Sequence, residues 1–420
     1  MPCGSDLRQC PALIRSDDPM PPLLSVVIPT HNRARYAMHA IESVLSQGDE
    51  RLELVVSDTS TDGELARWVA EHPRGRDPRL NYFRPAQKLD MTGNHNAAVA
   101  ASKGEYLCLI GDDDTISRAL LDATQWAHQK RVDLIAPNVV ANYVWPDFRS
   151  RHFGARHASR LYFAKQMGGG KVCLASEALA LALREAAQGT DGLPKIYHGV
   201  VRRTLMERIR ERSGQYFHGS SPDVSGAVGL AACADRFLVV DFPLSIPGAS
   251  GGSNTGRSAM NTHKGQLSAE SQTSSFVASG WSPGVPKFFS VETVWAHAAL
   301  ETLKHLAPST LTEFNFVRLL GTCSMRHPEF KSEIAQATSE AAEMLGTPLP
   351  GLQAAVARER RTLRQARIRY VLARAMRPTA AGGRPFVDGL ATVAEAPPRL
   401  AARLVEMKLD WETAVRGLVV

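Results

Sequence analysis

The sequence predicts an α/β fold in which a mainly parallel sheet is flanked by helices and followed by a mostly helical C-terminal region. Two observations predict the sheet: short β-branched runs alternate with segments of helical periodicity between residues 24 and 110, and most runs end in a polar cluster. A third observation, apolar residues at helical spacing from Val291 onward, predicts the C-terminal helices. The 420 residues are enough for two or three domains.

The individual elements follow from periodicity and from turn residues. Strands are predicted at residues 24–28, 52–57, 81–84, 106–110 and 132–136. Helices are predicted at residues 34–47, 64–70, 93–103, 119–130 and 176–187. The glycine run at residues 168–170 is interpreted as a turn, because the following Lys171 and Val172 lack the Ser or Thr of a phosphate-binding loop.

Composition divides the chain and excludes some classes of protein. We expect a flexible leader at residues 1–22, an α/β domain at 23–247, a Gly/Ser-rich mobile loop or linker at 248–286 and a helical region at 287–420. With 44% hydrophobic and 22% charged residues, the chain should fold as a globular protein. It has no apolar run of the roughly 18 residues needed to span a bilayer, no signal-peptide pattern and no CxxC pair. We therefore expect a cytoplasmic protein.

The balance of charge favours anionic partners. The formal net charge is +7 and the isoelectric point about 9.2, which suits nucleotides, nucleic acids, phospholipid surfaces and lipid-linked phosphates alike. Charge alone does not choose among them. Because the sequence has no nucleic-acid recognition motif, we expect no nucleic-acid partner.

Asp112, Asp113 and Asp114 follow a predicted strand directly, so we expect them exposed at the ligand-binding edge of the sheet. Two carboxylates about 5 Å apart repel by roughly 3 kcal/mol at an effective dielectric near 20, which a bound cation would relieve. Hard oxygen ligands select Mg²⁺ or Mn²⁺. The alternative is a solvated acidic turn that caps the helix starting near Ser117.

A second polar cluster follows the strand at residues 52–57. Asp58 stands at the strand end and Asp62 lies in the next turn. A carboxylate at that edge is suited to accept a hydrogen bond from a base or a ribose, whereas one in the turn is suited to cap the next helix. We expect Asp58 to bind and Asp62 to cap.

Several of these segments resemble glycosyltransferase family 2, whose donor domains have the GT-A fold. Pro29 to Arg33 looks like that family's Pro-x-Tyr-Asn entry to the nucleotide pocket, and residues 55–62 look like its Val-Val-Asp-Asp-Gly-Ser-Thr-Asp element. Residues 93–96 and 102–106 resemble its Asn-rich helix and the Gly-Glu-Tyr that follows. Residues 109–114 resemble the strand and Asp-x-Asp motif that holds metal and donor diphosphate.

The resemblance implies a GT-A-like domain with its donor half at residues 23–137 and its acceptor half at 138–247. It implies that a nucleoside diphosphate sugar contacts Pro29, Thr30, Asn32, Arg33, Asp58, Asn94, Asn96, Asp112 and Asp113. Mn²⁺ or Mg²⁺ would be held by Asp112 and Asp114, with Asp113 as the alternative ligand. The sequence departs from the family at Ser57, Thr59 and Gly111, so which aspartates bind metal stays open.

The resemblance also implies a carboxylate base in the acceptor half, because an inverting enzyme must take the proton of the acceptor hydroxyl. Asp223, in a polar turn before an apolar helix, is the candidate. Its alternative role is to cap that helix. His198 and His218 are weaker candidates for contact with the acceptor or a metal.

The predicted function is a metal-dependent, inverting glycosyltransferase that acts on a glycan, lipid-linked or protein acceptor, in bacterial surface polysaccharide or glycoconjugate synthesis. The loop at residues 248–286 could close over the diphosphate with Arg257. The basic stretch at residues 358–377 could rest on the inner face of the membrane, or be a solvated helix. A nucleotidyltransferase and a non-catalytic nucleotide-sugar-binding module are the alternatives.

Overall fold

The structure is a computed structural model that describes residues 21–270, 272–375 and 380–419. Nearly all of the leader predicted at residues 1–22 lies outside the described residues. Within the described ranges, no helix combines the length and apolarity needed to cross a membrane.

Sixteen strands are described. They are β1 (Leu24–Thr30), β2 (Leu52–Asp58), β3 (Leu80–Phe83), β4 (Tyr106–Leu109), β5 (Thr115–Ile116), β6 (Leu134–Pro137), β7 (Ala141–Val144), β8 (Arg160–Phe163), β9 (Gly170–Leu174), β10 (Val200–Arg202), β11 (Arg236–Val240), β12 (Ser245–Ile246), β13 (Gly248–Ala249), β14 (Lys264–Gly265), β15 (Phe289–Ser290) and β16 (Phe386–Val387).

The described α-helices are α1 (Ala34–Leu45), α2 (Glu64–Glu71), α3 (Met91–Ala101), α4 (Ala119–Lys130), α5 (Ala175–Arg184), α6 (Arg203–Ser213), α7 (Pro222–Cys233), α8 (Asn254–Ala259), α9 (Ser274–Ser279), α10 (Val291–Leu306), α11 (Phe316–Arg326), α12 (Lys331–Leu345), α13 (Leu349–Ala375), α14 (Ala396–Glu406) and α15 (Trp411–Val415). Short 3₁₀ turns connect several of them.

The central sheet has eight strands in the order β3-β2-β1-β4-β10-β6-β11-β9. The pairs within β3-β2-β1-β4 and the pair β6-β11 are parallel, whereas β10 and β9 run antiparallel to their neighbours. Buried apolar side chains of α1 and α4 cover one face, and those of α3, α6 and α7 contribute to the core on the other face. The predicted GT-A-like α/β class, with a mainly parallel sheet flanked by helices, is therefore confirmed.

The predicted elements agree with the observed ones to within a few residues, with two corrections. The glycine run is not only a turn, because Gly170 opens β9. The apolar helix after Asp223 starts earlier than predicted, because Pro222 occupies its first position, where a proline needs no backbone donor. Pro29 is likewise tolerated inside β1, since at that position the strand pairs with β2 but not with β4.

The predicted helical C-terminal region is present, and it packs on the α/β domain. Helix α10 lies against α7, and helices α11 to α13 complete a second apolar core around it. The chain then returns to the sheet. Strand β16 pairs with β8, and Trp411 of α15 packs edge-on against Trp126 of α4.

Residues 248–286, predicted as a mobile loop, contain two short helices, α8 and α9, and two short strands, β13 and β14. Strand β13 pairs with β7, so the segment begins inside the folded domain. The mobility of this segment stays a prediction.

Candidate active site

The site lies where β1, β2 and β4 end at one edge of the sheet. The three aspartates after β4 are buried there: Asp112 and Asp113 are 6% exposed and Asp114 is 2% exposed. The expectation of solvent-exposed carboxylates is wrong. The segments at residues 248–250 and 145–147 lie over this turn, and Trp145 donates its indole N–H to the carbonyl of Asp113 at 2.9 Å.

The carboxylate of Asp112 joins the ends of β1 and β4. Its Oδ2 accepts the hydroxyl of Thr30 at 2.7 Å, and its Oδ1 accepts the Nε–H of Arg33 at 2.7 Å. Thr30 and Arg33 thus lie in the predicted site, but both contact the aspartate turn directly.

Asp113 lies between Arg33 and the start of the segment at 248–286. Its Oδ2 is 3.0 Å from Nη2 of Arg33 and accepts the hydroxyl of Ser250 at 2.6 Å. Burial raises its pKa to about 7, even though the charge of Arg33 acts in the opposite direction. A second cation would therefore stabilise its ionised form.

Both carboxylate oxygens of Asp114 accept hydrogen bonds from within the protein. Its two oxygens accept the backbone N–H groups of Gly111 and Gly248, each at 2.6 Å, and Tyr197 donates its hydroxyl at 3.1 Å. Burial raises its pKa to about 6. These hydrogen bonds hold the turn in place, and metal binding by Asp114 stays a prediction.

Arg33 is the cation at the centre of the site. Burial alone would lower its pKa, but the carboxylates of Asp112 and Asp113 hold it above its ordinary value. Its Nη1 is buried without a hydrogen-bond partner among the described residues. A buried guanidinium N–H without a partner is costly, so a bound anion would be stabilised here.

Whether a divalent metal fits this site depends on the carboxylates of the aspartate turn. Among the described residues, no group of three His, Cys, Asp or Glu side chains is arranged to hold a metal ion. Asp112 and Asp113 together nevertheless offer hard oxygen ligands beside a phosphate-sized anion site, which suits Mg²⁺ or Mn²⁺ completed by phosphate oxygens. All three aspartates accept hydrogen bonds from within the protein, so the choice of metal ligands among Asp112, Asp113 and Asp114 stays a prediction.

Asp58 lies apart from the aspartate turn, at the ends of β2 and β3, and has its own set of partners. It is buried, and its Oδ2 accepts the hydroxyl of Tyr82 at 2.7 Å, with Nε of Arg84 3.9 Å away. Its Oδ1 accepts the backbone N–H of Ser60. The sequence analysis did not predict that Tyr82 and Arg84 contact Asp58. Their position in, and directly after, the strand β3 beside β2 was the signal that could have identified them.

Three asparagines and one proline that were predicted to bind the donor have partners within the protein, and their contact with a donor stays a prediction. Asn32 accepts the backbone N–H of Thr61 at 2.8 Å, and its own φ of +54° suits a tight turn. Asn94 is buried and donates to the carbonyl of Thr30, while Asn96 accepts the N–H of Tyr216. These amides hold loops together, as the backbone of Pro29 does within β1.

Asp223 lies in the first turn of α7, across Tyr197 from the aspartate turn. Tyr197 experiences the charges of both Asp114 and Asp223, which with burial raise its pKa. The carboxylate of Asp223 accepts the hydroxyl of Ser221, and the N-cap has no side-chain hydrogen bond. Asp223 is half-buried in the first turn of α7 and does not occupy the N-cap position, and its role as a base stays a prediction.

The remaining candidates are distributed differently. Nε2 of His198 is 3.4 Å from Asp114, and burial lowers its pKa to about 3, so it is a neutral neighbour of the site. His218 stacks on His305, away from the aspartates, and burial lowers its pKa to about 4. Arg257 is not over the aspartates, because it binds Glu270 through both terminal nitrogens. Asp62 accepts the N–H of Glu64 next to the predicted cap position.

Comparison with known proteins agrees with this geometry. The profile described as Glycosyl transferase family 2 matches residues 25–189, from β1 past α5. This part of the chain belongs to glycosyl transferase family 2. The family 2 domain thus contains every strand end at which the donor-site residues meet, while Asp223 and Ser250 lie beyond it.

Two curated relatives that are named glycosyltransferases match about a quarter of this chain. The chain is 27% identical over 121 residues to glycosyltransferase GlyG of Streptococcus pneumoniae. It is 33% identical over 110 residues to the GalNAc(5)-diNAcBac-PP-undecaprenol beta-1,3-glucosyltransferase of Campylobacter jejuni. These matches cover 28% and 26% of this chain, and 40% and 35% of the two relatives, so the chain spans less than half of their length.

Among solved structures, S. aureus TarS 1-349 in complex with UDP-GlcNAc aligns with 87% of this chain and 99% of that chain. The TM-score is 0.43 and the sequence identity 14%. At that TM-score the likeness carries no argument about this chain.

Proposed function

We propose that the protein transfers a sugar from a nucleoside diphosphate sugar to an acceptor hydroxyl, in a metal-dependent reaction with inversion. The observation that carries this proposal is the pair of buried carboxylates, Asp112 and Asp113, joined by Arg33 at the strand ends of the family 2 domain. A buried cation with one unpartnered N–H beside two acidic oxygen ligands matches the chemistry of a diphosphate with its metal.

Two groups of residues would bind the two ends of the donor. Asp58, with Tyr82 and Arg84, would accept hydrogen bonds from the base or ribose at the ends of β2 and β3. Arg33 would donate its free Nη1–H to the diphosphate, with Thr30 keeping Asp112 in position. When bound, Mg²⁺ or Mn²⁺ on Asp112 and Asp113 would neutralise diphosphate charge.

Asp223 would act as the general base. Its carboxylate takes the proton of the acceptor hydroxyl as that oxygen forms a bond to the anomeric carbon of the sugar. The bond from the anomeric carbon to the diphosphate oxygen breaks at the same time, and the nucleoside diphosphate leaves with the electron pair. A single displacement of this kind inverts the anomeric configuration. The half-buried position near Tyr197, without a capping bond, supports this role.

The acceptor is a glycan, lipid-linked or protein hydroxyl, and we place the reaction in surface polysaccharide or glycoconjugate synthesis. The Campylobacter jejuni relative is named for a lipid-linked acceptor, and another relative is named a putative colanic acid biosynthesis glycosyl transferase. Those names support, for this chain, an acceptor presented at the cytoplasmic face of a membrane.

Helix α13 supports such a peripheral location. Its second half, residues 358–375, contains seven arginines and one glutamate, and exposes Ile368, Tyr370, Val371 and Leu372. Arginine with exposed apolar side chains is the combination that binds anionic lipid surfaces. The protein would then be cytoplasmic with α13 resting on the membrane.

The two alternatives predict different products. A nucleotidyltransferase would release diphosphate rather than a nucleoside diphosphate, and a binding module would release nothing. Asp223 near the aspartate turn favours the transferase, since a binding module has no use for a base there.

Incubation with a panel of nucleotide sugars and Mn²⁺ tests the proposal. We expect one donor to raise the melting temperature and to release its nucleoside diphosphate, with a fall of at least about 100-fold for Asp112→Asn. Asp62→Asn, which changes an exposed aspartate in the turn after β2, is the matched control and should leave release unchanged. No shift with any donor, or equal effects of the two substitutions, would contradict the proposal.

A further inference from the structure

A second cavity lies outside the donor site. It has a volume of about 790 Å³ and is enclosed by α8, the first turn of α10, the end of α11 and the exposed half of α13. Its walls carry four basic side chains, Arg151, Lys264, Arg326 and Arg367, and a single acid, Glu292. Both oxygens of Glu292 are already paired, with Arg326 at 2.7 Å and His327 at 2.8 Å. The cavity therefore has an excess of positive charge.

Two histidines in the wall have unused hydrogen-bonding capacity. His263 is 9% exposed and His327 is 8% exposed, and both line the cavity. Nδ1 of His263 is 3.0 Å from the hydroxyl of Ser258 and its Nε2 has no partner, while Nδ1 of His327 has none. Polar groups buried to this degree are normally satisfied. A neutral His327 that gives its Nε2–H to Glu292 has an Nδ1 that accepts hydrogen bonds. Nε2 of His263, in contrast, donates when the Ser258 hydroxyl donates to its Nδ1, so Nε2 of His263 is the nitrogen suited to a ligand that accepts hydrogen bonds.

Two arginines at the rim add unpaired charge. Neither Arg151 nor Arg367 forms an ion pair within the described residues. The first turn of α10 contributes to the same wall, and the N-terminal end of a helix carries a partial positive charge. Two guanidinium groups together with an imidazole N–H donor form a set of groups that binds phosphate.

The cavity is connected to the donor site by a single short helix. Ser250 donates to Asp113 near the start of the segment at 248–286, and α8 begins four residues later at Asn254 and ends with Ser258 and Ala259 in the cavity wall. One short stretch of chain therefore contributes both to the donor site and to the cavity.

We propose that this cavity binds a phosphate group of the acceptor, so that the acceptor is a phosphorylated or phosphate-linked glycan. The identity of the bound group as phosphate is independent of the reaction, whereas its assignment to the acceptor rests on the proposed function. The phosphate belongs to a lipid headgroup or to a soluble phosphorylated chain, and the two sources have separate tests.

Histidine ring ¹⁵N signals of the full chain, titrated with inorganic phosphate at constant ionic strength and without divalent metal, give the direct test. We expect the His263 signal, assigned by its loss in His263→Gln, to shift saturably. The double variant Arg151→Gln with Arg367→Gln should weaken that binding by at least about 10-fold. Both arginines are exposed, so the fold should be unaffected.

The matched control is Arg156→Gln with Arg369→Gln, which removes the same charge from the same two segments outside the cavity wall. It should bind phosphate within about twofold of the original chain. Equal weakening by both pairs, or no shift of His263, overturns the proposal. Donor hydrolysis that persists despite a negative titration would overturn this inference alone, and phosphate binding without donor binding would overturn only the proposed function.

Sedimentation with vesicles that contain an anionic phospholipid separates the two sources. A lipid-borne phosphate predicts that the Arg151/Arg367 pair lowers vesicle binding more than the control pair does. A soluble phosphorylated acceptor predicts equal vesicle binding by the two pairs together with unequal binding of inorganic phosphate. Either result supports the cavity, whereas equal phosphate binding by the two pairs, or no shift of the His263 signal, contradicts it.

Discussion

Arg33 illustrates how one residue organises the site. It follows β1 in sequence but contacts Asp112 and Asp113 after β4, and Ser250 more than two hundred residues later. The guanidinium compensates for two buried carboxylates that would otherwise repel each other. One guanidinium offsets only part of the charge of these carboxylates, and its Nη1 has no hydrogen-bond partner among the described residues.

Replacement of Arg33 should be destabilising as well as inactivating. Arg33→Ala leaves Asp112 and Asp113 buried without their cation, which should cost about 3 kcal/mol of unfolding free energy. Arg35→Ala is the control, because the ion pair of Arg35 with Asp147 is largely exposed and should contribute less than about 1 kcal/mol. Urea denaturation compares the two variants, and similar losses would contradict the structural role of Arg33.

Sequence reasoning placed Asp58 and Asp112 at strand ends, where the structure has them, while their roles stay predictions. Their positions could be predicted from the local sequence, because a short β-branched run followed by a polar cluster indicates a strand and its end. The partners of Asn94, Asn96 and Asp114 could not, since they lie on distant segments such as Gly248 and Tyr216. A local motif shows that an amide or a carboxylate is present, but not what satisfies it.

At the scale of elements, α10 and α11 are joined by a buried charge cluster. Glu292, in the first turn of α10, accepts from His327 and Arg326 at the end of α11. Burial would raise the pKa of Glu292, but the hydrogen bond and charge of His327, with the charge of Arg326, outweigh it and lower the pKa to about 2. The contact between these helices is therefore sensitive to acid.

The sign of that sensitivity follows from linkage. Because the folded-state pKa of Glu292 lies below its unfolded value of 4.5, its contribution is complete above about pH 5 and is lost as the pH falls toward 2. We expect Glu292→Gln to destabilise the protein by about 1–3 kcal/mol at pH 7 and by much less at pH 3. Chemical denaturation at both pH values measures this, and a loss that is independent of pH would contradict it.

The segment at residues 248–286 is the element most suited to respond to a donor. Its first residues bind Asp113 and Asp114, so they should become more ordered when the diphosphate occupies the site. We expect amide hydrogen exchange in this segment to slow by at least about 10-fold with a saturating donor. The helices α11 and α12, which are far from the aspartates in sequence, provide the internal reference. Unchanged exchange in the segment would make it a static connection.

At the scale of the whole molecule, the chain closes on itself. The last helices do not form a separate unit, because Trp411 packs edge-on against both Trp126 and Phe242 beneath the sheet. The predicted boundary at residue 287 stays a prediction, although the last helix packs back against the sheet domain. The acceptor half, the second cavity and the donor site share one folded body.

Removal of the Trp411 ring tests this closure. Trp411→Ala should lower the unfolding free energy by about 3–5 kcal/mol, because it leaves a cavity in the core that covers the sheet. Val405→Ala, in the neighbouring helix α14 and 77% exposed, is the control and should change it by less than about 0.5 kcal/mol. A cooperative transition that is unaffected by Trp411→Ala would mean that the C-terminal helices fold separately.

The central claim is that the aspartate turn binds the donor while Asp223 acts on the acceptor. Asp223→Asn keeps the shape of the side chain but removes the base, whose contribution is typically about 10²–10⁴-fold. With the donor found in the nucleotide-sugar panel, calorimetric affinity and turnover should be measured on the same preparations of both proteins. The account predicts an unchanged dissociation constant and melting temperature with turnover reduced by at least about 100-fold. Near-normal turnover in Asp223→Asn would contradict it.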